Sequence, residues 1–220
     1  MTAGVVQAMK FGMFSSFKEA LDRDGRIHGL PQIFAAAAMA GAFISFVTQP
    51  SCILKVHQQV LPRGGIIDQF RSIVAARGLV GLYTGIGPHF IMETVGRGVY
   101  MSSFYMLKSW LAPGDKQNTD LELSFSRKAL AGAGAGCISW IVIYPADVVR
   151  NTLQSALALD PGGRPESAIC CARRMFKVGG ITQLYRGIQY SLIRSAPVAA
   201  ANLSIWDSVN SFLQEETSRF

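Results

Sequence analysis

The residues with the clearest chemical potential in this chain are charged side chains set in apolar surroundings. Pro145, Asp147 and Arg150 stand at the end of a long apolar run, within Tyr144-Pro145-Ala146-Asp147-Val148-Val149-Arg150-Asn151-Thr152-Leu153-Gln154. Residues three apart share a helix face, so the Asp147 carboxylate and the Arg150 guanidinium can pair with each other, while Pro145 removes a backbone hydrogen bond beside them. Glu93, Arg97 and Arg194 also lie inside apolar segments, which argues for helix faces turned away from lipid. No Gly-rich phosphate loop, metal-ligand spacing or nucleophile elbow occurs in the sequence. Neither an enzymatic activity nor a metal or other cofactor is therefore expected.

The elements that must hold these charges have the composition of membrane helices. Half of the 220 residues are hydrophobic and only 16% are charged, against about 25% in soluble domains. No Asp, Glu, Lys or Arg occurs from Leu30 to Leu54, a longer stretch than the roughly 20 residues that cross a bilayer. A second uncharged run extends from Ala129 to Ala146. The net charge of +7 is spread between apolar runs rather than gathered in basic clusters, a placement suited to anionic lipid headgroups and not to nucleic acid. Cys52, Cys137, Cys170 and Cys171 form neither a zinc pattern nor a disulfide framework. Residues 1–13 lack the features of a removable presequence, so targeting is expected to be internal.

Internal repetition sets the order of these elements. Gln49-Pro50-Ser51-Cys52-Ile53-Leu54-Lys55-Val56-His57-Gln58-Gln59 aligns with 144–154, placing Pro50 on Pro145, Lys55 on Arg150 and Gln59 on Gln154. Arg77-Gly78-Leu79-Val80-Gly81-Leu82-Tyr83-Thr84-Gly85 matches 178–187 in the same order. Between the paired motifs, 67–76 and 167–178 read as short amphipathic helices bounded by glycine. Each unit is thus a long apolar helix with a proline, a loop, a short surface helix, a Tyr-x-Gly turn and a second long helix, near 86–111 and 188–213. Small residues at packing spacing, Ala37, Gly41 and Ser45, then Gly132 and Gly136, suit close helix contact.

These motifs resemble the repeat signature of the mitochondrial carrier family, Pro-x-[Asp/Glu]-x-x-[Lys/Arg] followed by an aromatic-[Lys/Arg]-Gly turn. Asp147, Arg150 and Tyr185-Arg186-Gly187 carry it, whereas the first visible unit has Cys52 in the acidic position and Thr84 in the basic one. The resemblance implies an all-α, multi-pass bundle in the mitochondrial inner membrane, built from tilted helices around a cavity that opens alternately to either side. In this chain it implies about five transmembrane helices plus two short matrix-side surface helices. Residues 30–111 and 121–220 form two repeats joined by a linker, 112–120, and 1–29 are the tail of an incomplete first repeat. The wall that this leaves open is expected to come from further sequence or from a partner that supplies the missing helix.

The same resemblance assigns residues to roles. In the family the carboxylate of each signature pairs with the basic residue of the next, closing the matrix side. The matrix network would comprise Pro50, Lys55, Gln59, Pro145, Asp147, Arg150 and Gln154, with Arg150 facing Cys52 and no ion pair completed within the chain. The cytoplasmic gate would use Lys18, Lys108 and Asp207, with Lys18 and Asp207 as its one surviving pair; either lysine can instead snorkel. Substrate contacts fall at Met92, Glu93 and Arg194, with Arg97 near the same face, and the run 194–197 is similar to that of ornithine and acylcarnitine carriers. Since a guanidinium grips a carboxylate and a buried carboxylate holds an amine, Glu93 and Arg194 are expected to read opposite ends of a zwitterion or to pair with each other. Gly85, Arg186 and Gly187, in turns that leave N–H groups free at helix starts, would hold cardiolipin. His57 and His89 are expected at the surface, and the Cys170–Cys171 pair half-buried. The function so implied is transport of a small metabolite, an amino acid, a carnitine-like molecule or a carboxylate; the alternative is a carrier fold that serves as a scaffold, or a truncated product, and does not transport.

Overall fold

The computed structural model describes residues 2–24, 29–61, 65–111, 125–160, 163, 166–195 and 197–198. All of its regular elements are helical: α1 (Thr2–Asp24), α2 (Leu30–Val60), α3 (Ile66–Arg77), a 3-10 turn (Leu79–Tyr83), α4 (Ile86–Leu111), α5 (Phe125–Leu159) and α6 (Ala168–Leu184). A further helical stretch, 188–195, is called α7 below. Asp207, the linker 112–120 and the end of the expected last helix lie outside the described residues.

α4 is the centre of the arrangement, packing along both α2 and α5, while α1 lies on α2 and α6 on α5. Close approach depends on small residues. A Cβ at Gly41 of α2 would run into the Glu93 carbonyl of α4, and one at Gly96 would sit 2.9 Å from the Ile143 side chain of α5. Ser139 closes the second contact by donating to the Gly96 carbonyl at 2.9 Å. Three apolar clusters secure the rest: Phe14, Ile33, Ala36, Ala37, Ala40 and Met101 join α1, α2 and α4; Ile53, Ile73, Leu82 and Leu157 join both repeats near α3; Val149, Leu153, Cys171 and Met175 join α5 to α6.

Sizes are inverted relative to a water-soluble protein. α2 turns Ala36, Ala37, Ala40 and Ser45 inward and leaves Leu30, Phe34, Met39, Phe43, Phe46 and Val47 exposed; α5 does the same with Leu130, Ile138, Ile141 and Val142. Hydrocarbon exerts no hydrophobic force between helices, so small inner residues and large outer ones are what a lipid-embedded bundle requires. Two helices, Leu30–Val60 and Ala129–Leu159, are long and apolar enough to cross a membrane. At 26 residues α4 has the length, but it carries Glu93, Arg97 and Lys108.

The repeat is visible in backbone detail. Gly78 (φ 66°) and Gly180 (φ 61°) break the two surface helices, the second inside the range of α6, and Gly85 (φ 77°) and Gly187 (φ 88°) open the helices that follow. These are left-handed conformations that favour glycine. In each unit the residue before the helix proline ties down the turn: Gln49 Nε2 donates to the Thr84 carbonyl at 2.8 Å, and the Tyr144 hydroxyl to the Arg186 carbonyl at 3.0 Å. Pro145 has no N–H to offer the Ile141 carbonyl. The Tyr185 hydroxyl takes that place at 3.1 Å, with its ring stacked on Tyr144.

Adding even one methyl at Gly41 should separate α2 from α4. Gly41→Ala is expected to cost about 1–3 kcal/mol and to lower the unfolding temperature in detergent. Gly12→Ala, whose new Cβ meets nothing within 4 Å, should leave that temperature unchanged or raise it.

Candidate functional site

Helical spacing brings the charged residues to one place. On α4, Glu93 and Arg97 are one turn apart, as are Met92, Gly96 and Tyr100; on α5, Gly136, Trp140, Ile143, Asp147 and Arg150 recur every three or four residues; on α2, so do Cys52, Lys55 and Gln59. These faces, with Arg194 and Ser195 of α7, line a cavity of about 580 Å³. The structure therefore gathers Met92, Glu93, Arg97, Arg194, Lys55, Gln59, Asp147 and Arg150 around one space. Pro50 and Pro145 lie within α2 and α5 and shape those helices without lining it. Gln154 is fully buried beside the Gly85 turn and is not among the residues that line the cavity.

Glu93 is engaged on both oxygens. Lys10 of α1 reaches Oε1 at 3.3 Å, and Arg97 reaches Oε2 at 3.4 Å. The carboxylate is thus flanked by two cations before any solute arrives, and Arg194 is not its partner. Arg194 instead lies over the Trp140 ring, 5.7 Å from its centroid, an arrangement that presents a guanidinium to the cavity without neutralising it.

The second cluster corrects the expectation that no ion pair closes within the chain. Asp147 and Arg150 pair with each other, Oδ1 to Nη2 at 3.3 Å. Asn151 braces the pair, accepting from Arg150 at 3.2 Å and donating to Asp147 Oδ2 at 3.1 Å. Their spacing on one helix face makes this possible, and Cys52 brings no charge to draw Arg150 away. The other hand of the guanidinium, Nη1, lies 3.1 Å from His89 Nδ1. Guanidinium N–H groups only donate, so Nδ1 accepts and the ring proton sits on Nε2. Nε2 faces Thr48 Oγ1 at 3.0 Å, and Thr48 donates to the Ile44 carbonyl at 2.9 Å. One directed chain therefore links α5, α4 and α2.

This also corrects the placement of the histidines. His89 and His57 are 1% and 2% exposed rather than at the surface; His89 is enclosed between Thr48 of α2 and Arg150 of α5. Lys108 is buried too, which sets aside the snorkelling alternative for it, whereas Lys18 lies over the Tyr105 ring at 5.4 Å. Arg186 is exposed beside Gly187. On α6, Cys170 is exposed and Cys171 buried, and burial pushes the Cys171 thiol up from its ordinary value. The Arg174 guanidinium makes paired bonds to Glu166, at 3.1 and 2.8 Å, and holds that carboxyl below the usual range.

Sequence reasoning missed Lys10, His89, Trp140 and Asn151 as site residues. For Lys10 there was a signal: it is the single charged residue between Thr2 and Phe17, and a lone charge among apolar residues seeks a partner. For His89 there was none, since its two partners come from other helices.

The description "Mitochondrial carrier protein" belongs to the family whose model matches residues 28–114 and 121–217. Among relatives, the mitochondrial basic amino acids transporter of Bos taurus is 29% identical over 97% of this chain and 71% of its own length. The Homo sapiens mitochondrial carnitine/acylcarnitine carrier protein is 29% identical over 78% of this chain and 57% of its own. The glutamate/glycine mitochondrial carrier ymc1 of Schizosaccharomyces pombe is 26% identical over 96% of this chain and 72% of its own. With the family matched across both repeats, the chain belongs to the mitochondrial carrier protein family and is a multi-pass protein of the mitochondrial inner membrane, not an enzyme.

Proposed function

We propose that this chain carries a small carboxylate-bearing metabolite across the inner membrane by alternating access through the cavity between its repeats. The observation that supports this reading is the state of the charges around that cavity. Among the described residues the two carboxylates that line it, Glu93 and Asp147, already hold cations, and no carboxylate reaches Arg194 or Lys55 within ion-pair distance. A guanidinium braced on an indole ring and open to a cavity is suited to clamp a carboxylate through two parallel hydrogen bonds. Relatives are named for basic amino acids, for carnitine and acylcarnitine, and for glutamate and glycine, all of which bear a carboxylate. Access from one side would require the chain Arg150–His89–Thr48 to open, since it joins the three helices around the cavity.

One observation favours the scaffold reading. Arg150 is neutralised on its own helix, with Cys52 where the neighbouring repeat would offer an acid, so this lock does not depend on a ring of partners.

Two substitutions separate the readings. Arg194→Ala should abolish uptake of carboxylate solutes into proteoliposomes while the purified protein keeps its helical content and unfolding temperature; unchanged uptake would reject the clamp. His89→Phe fills the same space without an acceptor for Arg150 or a donor to Thr48. It should destabilise the protein by about 1–3 kcal/mol and lower uptake, whereas full stability and normal uptake would remove the relay from the transport cycle.

A further inference from the structure

We infer that Lys10 is a built-in counter-cation that selects against positively charged solutes and gives this cavity its preference for anionic carboxylates. The inference deepens the transport reading and rests on it.

Lys10 lies midway along α1, and its side chain is 12% exposed. Its ammonium holds Oε1 of Glu93, and Arg97 holds Oε2. A substrate ammonium entering the cavity would find the Glu93 oxygens taken and two like charges beside them. It would find Asp147 taken in the same way, by Arg150 on one oxygen and Asn151 on the other. The cavity-lining charges among the described residues are Lys55, Arg97, Arg150 and Arg194 against Glu93 and Asp147, and Lys10 adds one more cation on Glu93. Among the described residues every lining acid is matched and the surplus is positive. An incoming anion completes this arrangement; an incoming cation must break a pair to enter. Charge reversal of preference is a matter of repulsion as much as attraction, and here the repelling group is Lys10.

Lys10 is also the member of the Glu93 cluster that can be removed with least change to α4, because Arg97 stays one turn from Glu93 and continues to neutralise it. Lys10→Gln removes the cation from Oε1 and leaves a neutral side chain in its place. Glu93 is then held by Arg97 alone, and one of its oxygens has no cation.

The test is competition for uptake in proteoliposomes holding the full chain, with L-glutamate and L-lysine as the two probes. The wild type should prefer glutamate, and Lys10→Gln should shift the glutamate-to-lysine ratio toward lysine by about tenfold or more. Lys10→Arg, which keeps the charge, should retain the wild-type ratio. Should Lys10→Gln prove unstable, Glu93→Gln with Lys10 intact gives a second reading: glutamate preference should persist or grow, because Glu93 is not the acid that reads the solute. A wild type that prefers lysine, an unshifted ratio in Lys10→Gln, or loss of glutamate uptake in Glu93→Gln overturns the role of Lys10 while leaving transport in place. A wild type that takes up neither probe, nor any other carboxylate, overturns the transport reading and this inference with it.

Discussion

Charge held inside an apolar bundle has to be neutralised by groups within reach, and this requirement organises the whole structure. Leaving one member of a buried pair alone costs about 3–5 kcal/mol. Glu93 meets the requirement through Lys10 and Arg97, which binds α1 to α4. Asp147 meets it through Arg150, whose Nη1 starts a chain through His89 and Thr48 to the backbone of α2. The two clusters border one cavity, and both run through α4. The close contacts at Gly41 and Gly96 matter for this reason: they bring the helices near enough for short polar bonds to span them.

The pairing also explains how a repeat unit that lacks its signature acid still forms a closed interface. In α2 the acidic position is Cys52, and the basic position of α5 turns instead to its own Asp147 and to a neutral histidine. Symmetry between the repeats survives elsewhere, in the tie from Gln49 to Thr84 and its counterpart from Tyr144 to Arg186. Backbone geometry is thus kept where helix and turn must meet, while the charged partners differ.

Much of this was legible in the sequence because it rests on local or periodic features. The uncharged runs gave α2 and the apolar part of α5, the glycines gave the ends of the surface helices and the starts of α4 and α7, and the doubled proline motif gave the order of elements. Glu93, Arg97 and Arg194 were recognisable as interior because charge is costly in lipid. What the sequence could not tell is which charge meets which. Pairing of Asp147 with a neighbouring repeat and with its own helix are both compatible with a three-residue spacing, and only the packed position of His89 against Arg150 decides between them. The burial of His89 likewise follows from its contacts with α2 and α5, with no trace in local composition.

The surplus of positive charge at the cavity is either a solute site or a feature of the fold alone. Counter-exchange of labelled glutamate in liposomes loaded with unlabelled glutamate separates the two most directly. Saturable exchange, suppressed by competing small carboxylates and not by cationic amines, is the result predicted. Vesicles that stay impermeable to every carboxylate offered, with the protein inserted and folded, would contradict it.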